Sequence, residues 1–314
     1  MELKVFPNPE LDVVLRALRH VAQANDDFTE AERALIEGVA RIHGASIAAD
    51  SLRAVSFQEV ARVVTDPHRR KRAVQLAIVM ALVEGKPSDA TERVVRELAA
   101  TLGLDEEGLK VLSEVTHGHA LLARIDMFRR VGRFVRSAKD FPGIMHFAPM
   151  VVGFGASNPS LAASYRALES CAPGTLGRAF FDHFDSNGFK FPGERGGIPL
   201  IFHDLGHVLA GYDTDPQSEI QQAAFQAGFA RQDGFAVLLF GILQFHVGIR
   251  ITPVAKGYRG LFDVPRVLEA LERGAACNVD LTQGYDLFAN KDRPLDDVRC
   301  ELGIPPLRAV AKAS

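Results

Sequence analysis

The chain has no tryptophan and only four tyrosines among its 314 residues. A carbohydrate cleft or base-stacking platform built on such rings is therefore not expected, and phenylalanine, at 21, supplies the aromatic bulk. Cysteine is almost as scarce. Cys171, Cys277 and Cys300 lie far apart with no C-x-x-C pair, which excludes a thiolate zinc cluster and a disulfide framework and fits a reducing cytosol. Charge of either sign is not in excess. The formal net charge of -3 gives no footprint for nucleic acid, so no nucleic-acid partner is expected. Long apolar runs are missing too: Met1 to Pro7 has no signal-peptide core, and the most apolar stretch, Phe235 to Leu243, is too short to span a bilayer. A cytoplasmic protein is expected, at most in peripheral contact with a membrane. Glycine-rich dinucleotide loops, phosphate-binding loops and haem motifs are all absent, so any oxidant would be dioxygen or external.

Helical periodicity is what the chain does have. Leu11, Val14, Leu15 and Leu18 recur at spacings of three and four, one face of an amphipathic helix. Thr29 and Glu32 form a capping-box pattern ahead of the next apolar run, which Gly44 ends. The arrangement recurs about sixty residues on, with Glu92-Arg93 matching Glu32-Arg33 and the Glu84-Gly85-Lys86-Pro87 turn matching Ala24-Asn25-Asp26-Asp27. This duplicated helix, acidic turn and helix resembles the TerB-like (tellurite-resistance) domain, which implies a metal-responsive or partner-binding module. A plain bundle of capped helices accounts for the same residues. Residues 116–140 read as a basic amphipathic helix carrying Arg124, Arg129, Arg130, Arg133, Arg136 and Lys139, either a solvated face or a membrane-surface element. Gly, Pro, Ser and Asn then crowd 141–160, read as a linker. Helices resume at about 161–170, 174–186, 196–211, 216–230, 233–248, 264–276 and 295–302. The expectation is an all-α protein of two helical domains, 1–140 and 161–314.

Chemistry concentrates in the second domain. His203 and His207 are four apart, so on a helix starting near Pro199 and capped by Gly211 both imidazoles leave one face, the spacing with which helical histidines grip one metal. Asp204 is either a third ligand or an acceptor that fixes an imidazole tautomer. Asp215 and Pro216 suit the N-cap and first position of a further helix, which puts Glu219 one turn in. A sharp turn between the helices would fold that carboxylate back onto the same ion. Mixed nitrogen and oxygen donors suit zinc first, with iron or manganese as alternatives. His146, His183 and His246 read as isolated core or surface residues.

The spacing H-D-x-x-H-x(11)-E resembles the fourth coenzyme Q biosynthesis protein family. The resemblance takes in Pro173 to Phe180, Arg273-Gly274-Ala275-Ala276 and Pro294 to Ile304, covering about residues 160–306. It implies a metal held by His203, Asp204, His207 and Glu219, and an apolar groove for an isoprenoid. The implied role is oxidative decarboxylation of an aromatic quinone-precursor acid, or scaffolding of the enzymes that perform it. The helix with Phe235, Leu238, Leu239, Ile242 and Phe245 would be the groove wall, or simply core. The expected partners are an isoprenoid or aromatic small molecule, other biosynthetic enzymes, and further copies of the chain in a homo-oligomer. A competing resemblance is to HD-domain phosphohydrolases, which would need His183 and Asp263 or Asp280 as additional ligands.

Overall fold

The computed structural model describes residues 2–25, 27–139, 157–198, 200–252 and 255–307. Among them there are fifteen α-helices and no β-strand, so the protein is all-α. The first seven helices are α1 (Asn8–Ala22), α2 (Glu30–Ile42), α3 (Phe57–Val63), α4 (Pro67–Leu82), α5 (Asp89–Thr101), α6 (Glu107–Thr116) and α7 (Ala120–Arg136). Of the expected linker, 141–160, residues 141–156 lie outside the described residues, and its last two residues already belong to α8 (Pro159–Arg166), which is followed by α9 (Leu176–Asn187), α10 (Phe202–Ala210) and α11 (Pro216–Phe229). Then follow α12 (Gly234–Phe245), α13 (Val264–Ala276), α14 (Leu287–Asn290) and α15 (Leu295–Glu301).

Local sequence sets most of these boundaries. The predicted face of α1 (Leu11, Val14, Leu15 and Leu18) is buried. At the start of α2 the capping box forms in full, with the Thr29 side chain accepting from Glu32 N–H and the Glu32 carboxylate accepting from Thr29 N–H. The two duplicated turns face each other. Asn25 in the first accepts from Ser88 and Thr91 at the start of α5, while Glu84 in the second accepts from the Thr29 hydroxyl. Each turn thus supports the other's helix N-terminus, a pairing that needs the chain to return on itself.

One cluster of buried apolar residues runs through both halves of the chain. Helix α2 packs on α13 and α7 packs on α12. Polar links join the halves as well. Arg41 pairs with Glu272 at 2.6 Å. His246 donates its Nε2–H to Val83 C=O at 2.8 Å while its Nδ1 accepts from Phe262 N–H, a neutral ring satisfied at both nitrogens. Buried Arg130 of α7 reaches Asp233 at the start of α12 and Glu106 before α6. Helices α11 and α13 cross almost backbone to backbone: a Cβ on Gly274 would stand 1.9 Å from the Phe225 carbonyl oxygen.

One boundary differs from the sequence expectation in a way that bears on the site. The helix expected from 196 begins only at Phe202. Gly196 adopts φ +85°, and a Cβ on Gly197 would meet the Phe191 carbonyl oxygen at 2.0 Å, so the chain turns tightly there and cannot start a helix. Pro199, expected in the first turn, lies outside the described residues.

Candidate metal centre

Helix α10 presents His203 and His207 on one side, one turn apart. It ends where Gly211 takes φ +75°, a left-handed conformation that glycine adopts without steric cost. Asp215 then caps α11, accepting from Gln217 and Ser218 N–H with Pro216 at the first position, as its sequence predicts. Two small contacts bring α11 against α10. Gly206 lies between the histidines, and the Gln222 amide fills the space a Cβ would take, at 2.1 Å. From there Gln222 donates to the His203 carbonyl at 2.9 Å. The close approach delivers Glu219 to the histidines.

His203, His207 and Glu219 offer donor atoms that all lie within 4.8 Å of one another. The two Nε2 atoms are 3.3 Å apart, and the Glu219 oxygens lie 3.6 Å from each. Ligands about 2.0–2.1 Å from a tetrahedral ion are separated by roughly 3.3–3.4 Å, so the triangle is close to the size one ion requires. The outer nitrogens are already engaged. His203 Nδ1 faces the Gln226 carbonyl oxygen at 3.0 Å, and His207 Nδ1 faces the Tyr212 backbone carbonyl at 3.1 Å. Both rings therefore carry hydrogen on Nδ1 and turn Nε2 lone pairs toward each other. A shared proton or a metal ion satisfies that arrangement.

Electrostatics separates the two rings. Burial opposes charge on His203, but the Glu219 hydrogen bond and charge, then Asp204, outweigh it and lift its pKa to about 9. Burial and then the neighbouring His203 charge hold His207 down to about 4.

Asp204 stands apart from this triad. Its carboxylate faces His183 Nε2 at 3.4 Å, and the His183 ring stacks on His207 with centroids 5.3 Å apart. Burial would raise the Asp204 carboxyl, but the hydrogen bond from His183 and the charges of the neighbouring histidines hold it below the usual carboxylate range. The further ligands an HD-domain site would need are committed elsewhere. Asp263 caps α13 through Arg266 N–H, and Asp280 accepts from Arg231 and Thr282.

The flanking segments brace the site helix. Arg273 donates to Ala210 C=O and to the Tyr212 hydroxyl, and Arg299 donates to Val208 and Leu209 C=O, so two cations hold the carbonyl end of α10. Gln222 and Gln226 escaped the sequence reading. With Glu219 they fall at i, i+3 and i+7 of one helix, a periodicity that was there to be read.

An open cleft of about 690 Å³ runs beside His183 and Tyr212, with Asp182, Asp185, Asp213 and Asp215 around it. A larger cavity of about 890 Å³ lies between the halves, near Leu3, Arg72, Asp233 and Phe235, and none of the triad lines it.

No protein-family profile matches the sequence, and no curated protein matches it either. Among solved structures, a crystal structure from Nostoc punctiforme, described as a candidate ubiquinone biosynthesis protein, aligns over 76% of this chain and 99% of its own at 16% identity. Its TM-score of 0.32 is too low to transfer a fold or an activity.

Proposed function

We propose that this chain is a metal-dependent enzyme of ubiquinone-type or related metabolism. It binds a divalent cation, zinc first, between His203, His207 and Glu219, and acts on an aromatic or polyprenylated quinone-precursor acid in oxidative-decarboxylation-type chemistry, with dioxygen or an external acceptor as the oxidant. The reading rests on one observation above all: two imidazoles with occupied Nδ1 atoms turn their Nε2 lone pairs toward each other beside a carboxylate. The substrate class comes from the H-D-x-x-H-x(11)-E resemblance, with the flanks that brace α10.

When bound, the cation would supply Lewis-acid charge for an oxygen of the substrate. The chain's own groups have separate tasks. Glu219 holds both imidazoles, Gln226 and the Tyr212 carbonyl fix their tautomers, and the Asp204–His183 pair beside them can hold or move a proton. The aspartates around the adjoining cleft repel an anionic acid, so the acid would approach from another side or neutralised.

A second reading is a metal-stabilised lipid-binding scaffold. What favours it is a narrow, nearly all-apolar pocket between α2, α4, α12 and α13, lined by Phe6, Val79, Phe235, Leu238 and Leu271. All five residues of the expected groove wall are buried in the core, and of them Phe235 and Leu238 line this pocket while Leu239, Ile242 and Phe245 do not. Metal analysis of purified protein, with turnover of a polyprenylated hydroxybenzoate followed by carbon dioxide release, separates the readings. The enzyme reading requires near-stoichiometric metal and turnover that disappears in Glu219→Gln while the fold persists. Turnover that survives complete chelation would refute it, and lipid co-purifying with the chelated, inactive protein would support the scaffold.

A further inference from the structure

We propose that the outer face of α7 docks the protein on an anionic lipid bilayer. This helix has two apolar faces and the fold uses one. Ala123, Met127 and Phe134 are buried, with Arg130 beside them. On the far side Leu121, Leu122, Ile125 and Phe128 are 66%, 49%, 40% and 54% exposed. Four of the seven large exposed apolar side chains among the described residues thus sit on one helix, which makes a patch rather than the usual scatter. Leu121, Ile125 and Phe128 fall at i, i+4 and i+7, a single stripe. A Cβ on Gly132, one turn further, would meet nothing within 4 Å, so the stripe continues into open space.

Charge selects the occupant. Arg124 borders the stripe on one side and Arg129 and Arg136 on the other, all exposed, with exposed Lys139 just past the helix. The acidic groups nearest this face are already bound: Glu107 by Arg133, and Asp126 by Lys110 and Arg129. The face is therefore an apolar stripe between cations, the pattern that sinks into the headgroup region of an anionic leaflet. No described helix is long and apolar enough to cross a membrane, so the contact is peripheral. Phe134, on the buried side of the same helix, meets Phe202 edge-on at 6.3 Å, immediately before His203. Docking through α7 would hold the metal centre at a fixed distance from the lipid.

The test uses the full chain and co-sedimentation with vesicles of phosphatidylcholine, pure or doped with phosphatidylglycerol. Binding is expected to the doped vesicles only, and to weaken with salt. Ile125→Glu with Phe128→Glu should abolish it with an unchanged melting curve, because both side chains are exposed. Arg124→Gln with Arg136→Gln should weaken it about thirtyfold, at about 1 kcal/mol per basic residue near the surface. The proposal is overturned if doped vesicles do not bind, or if either double variant binds like the wild type. It is equally overturned if the wild type ignores vesicles but is a dimer that Ile125→Glu with Phe128→Glu makes monomeric, since the stripe would then be covered by a second copy.

Discussion

Adding one methyl group at Gly274 should loosen both the core and the candidate metal centre. The alanine Cβ would stand 1.9 Å from the Phe225 carbonyl oxygen, with the Phe225 carbonyl carbon at 2.8 Å. These are backbone atoms and cannot rotate away. Ordinary contact starts near 3.4 Å, so α11 and α13 must part locally by about 1.5 Å. Gly228 faces the same crossing, where its own Cβ would meet Leu271 O and Ala275 N at 2.5 Å, so the helices have no slack on the other side. Overpacking of this kind costs about 1–3 kcal/mol, and alanine's helical advantage over glycine, up to about 1 kcal/mol, offsets part of it. The net loss should be about 1–2 kcal/mol. Cation affinity should fall too, because Glu219 and Gln226 ride on α11, and Arg273, next to Gly274, holds the end of α10. Gly132→Ala is the control: it lies inside α7 with open space around its Cβ, so it should stabilise by about 0.5–1 kcal/mol. Urea midpoints at constant slope, with a zinc competition assay, measure both effects. Equal stability of Gly274→Ala and wild type, or the same sign for both substitutions, would refute the close-crossing argument.

Other outcomes follow from separate parts of the molecule. His207→Ala should lower zinc content in elemental analysis to well below half, while circular dichroism stays helical; full occupancy would remove His207 from the ligand set. Glu114 sits against Asp126, and burial first, then Asp126, raises its pKa from 4.5 to about 7. The folded state therefore holds this proton more tightly than the unfolded one, and the contribution is full below about pH 4.5 and lost as pH rises through 7. Glu114→Gln should accordingly raise the melting temperature at pH 8 and make little difference at pH 4; the reverse order would contradict the assignment. Burial lowers the pKa of His246, so protonating it works against folding and stability should fall as the pH drops below 6.5. His246→Gln should flatten that part of the pH–stability curve. Asp233 holds φ +36°, which favours glycine, yet its carboxylate makes two hydrogen bonds to buried Arg130. Asp233→Gly should still destabilise, by about 1 kcal/mol in thermal unfolding, because two charge-assisted hydrogen bonds to buried Arg130, about 1.5–3 kcal/mol, outweigh relief of about 1 kcal/mol of backbone strain, while Glu106 still pairs with Arg130.

The residue order of this chain determined its class and its local boundaries. Periods of three and four made every long segment helical. Thr29 with Glu32, Asp215 with Pro216, and Gly211 placed their helix ends because caps act within four residues. The His203, His207 and Glu219 set was legible for the same reason, since two residues one turn apart and a carboxylate one turn into the next helix depend on local geometry. What lay beyond reach were decisions made by residues distant in sequence. That Asp204 faces His183, that Gln226 fixes His203, that Gly196 and Gly197 delay α10, and that the two duplicated turns cap each other all follow from how helices pack. The sequence showed α7 to be basic and amphipathic. Only tertiary structure decided which apolar side was spent on the core and which was left facing outward between its arginines, because burial is settled by what the rest of the chain brings up against a helix.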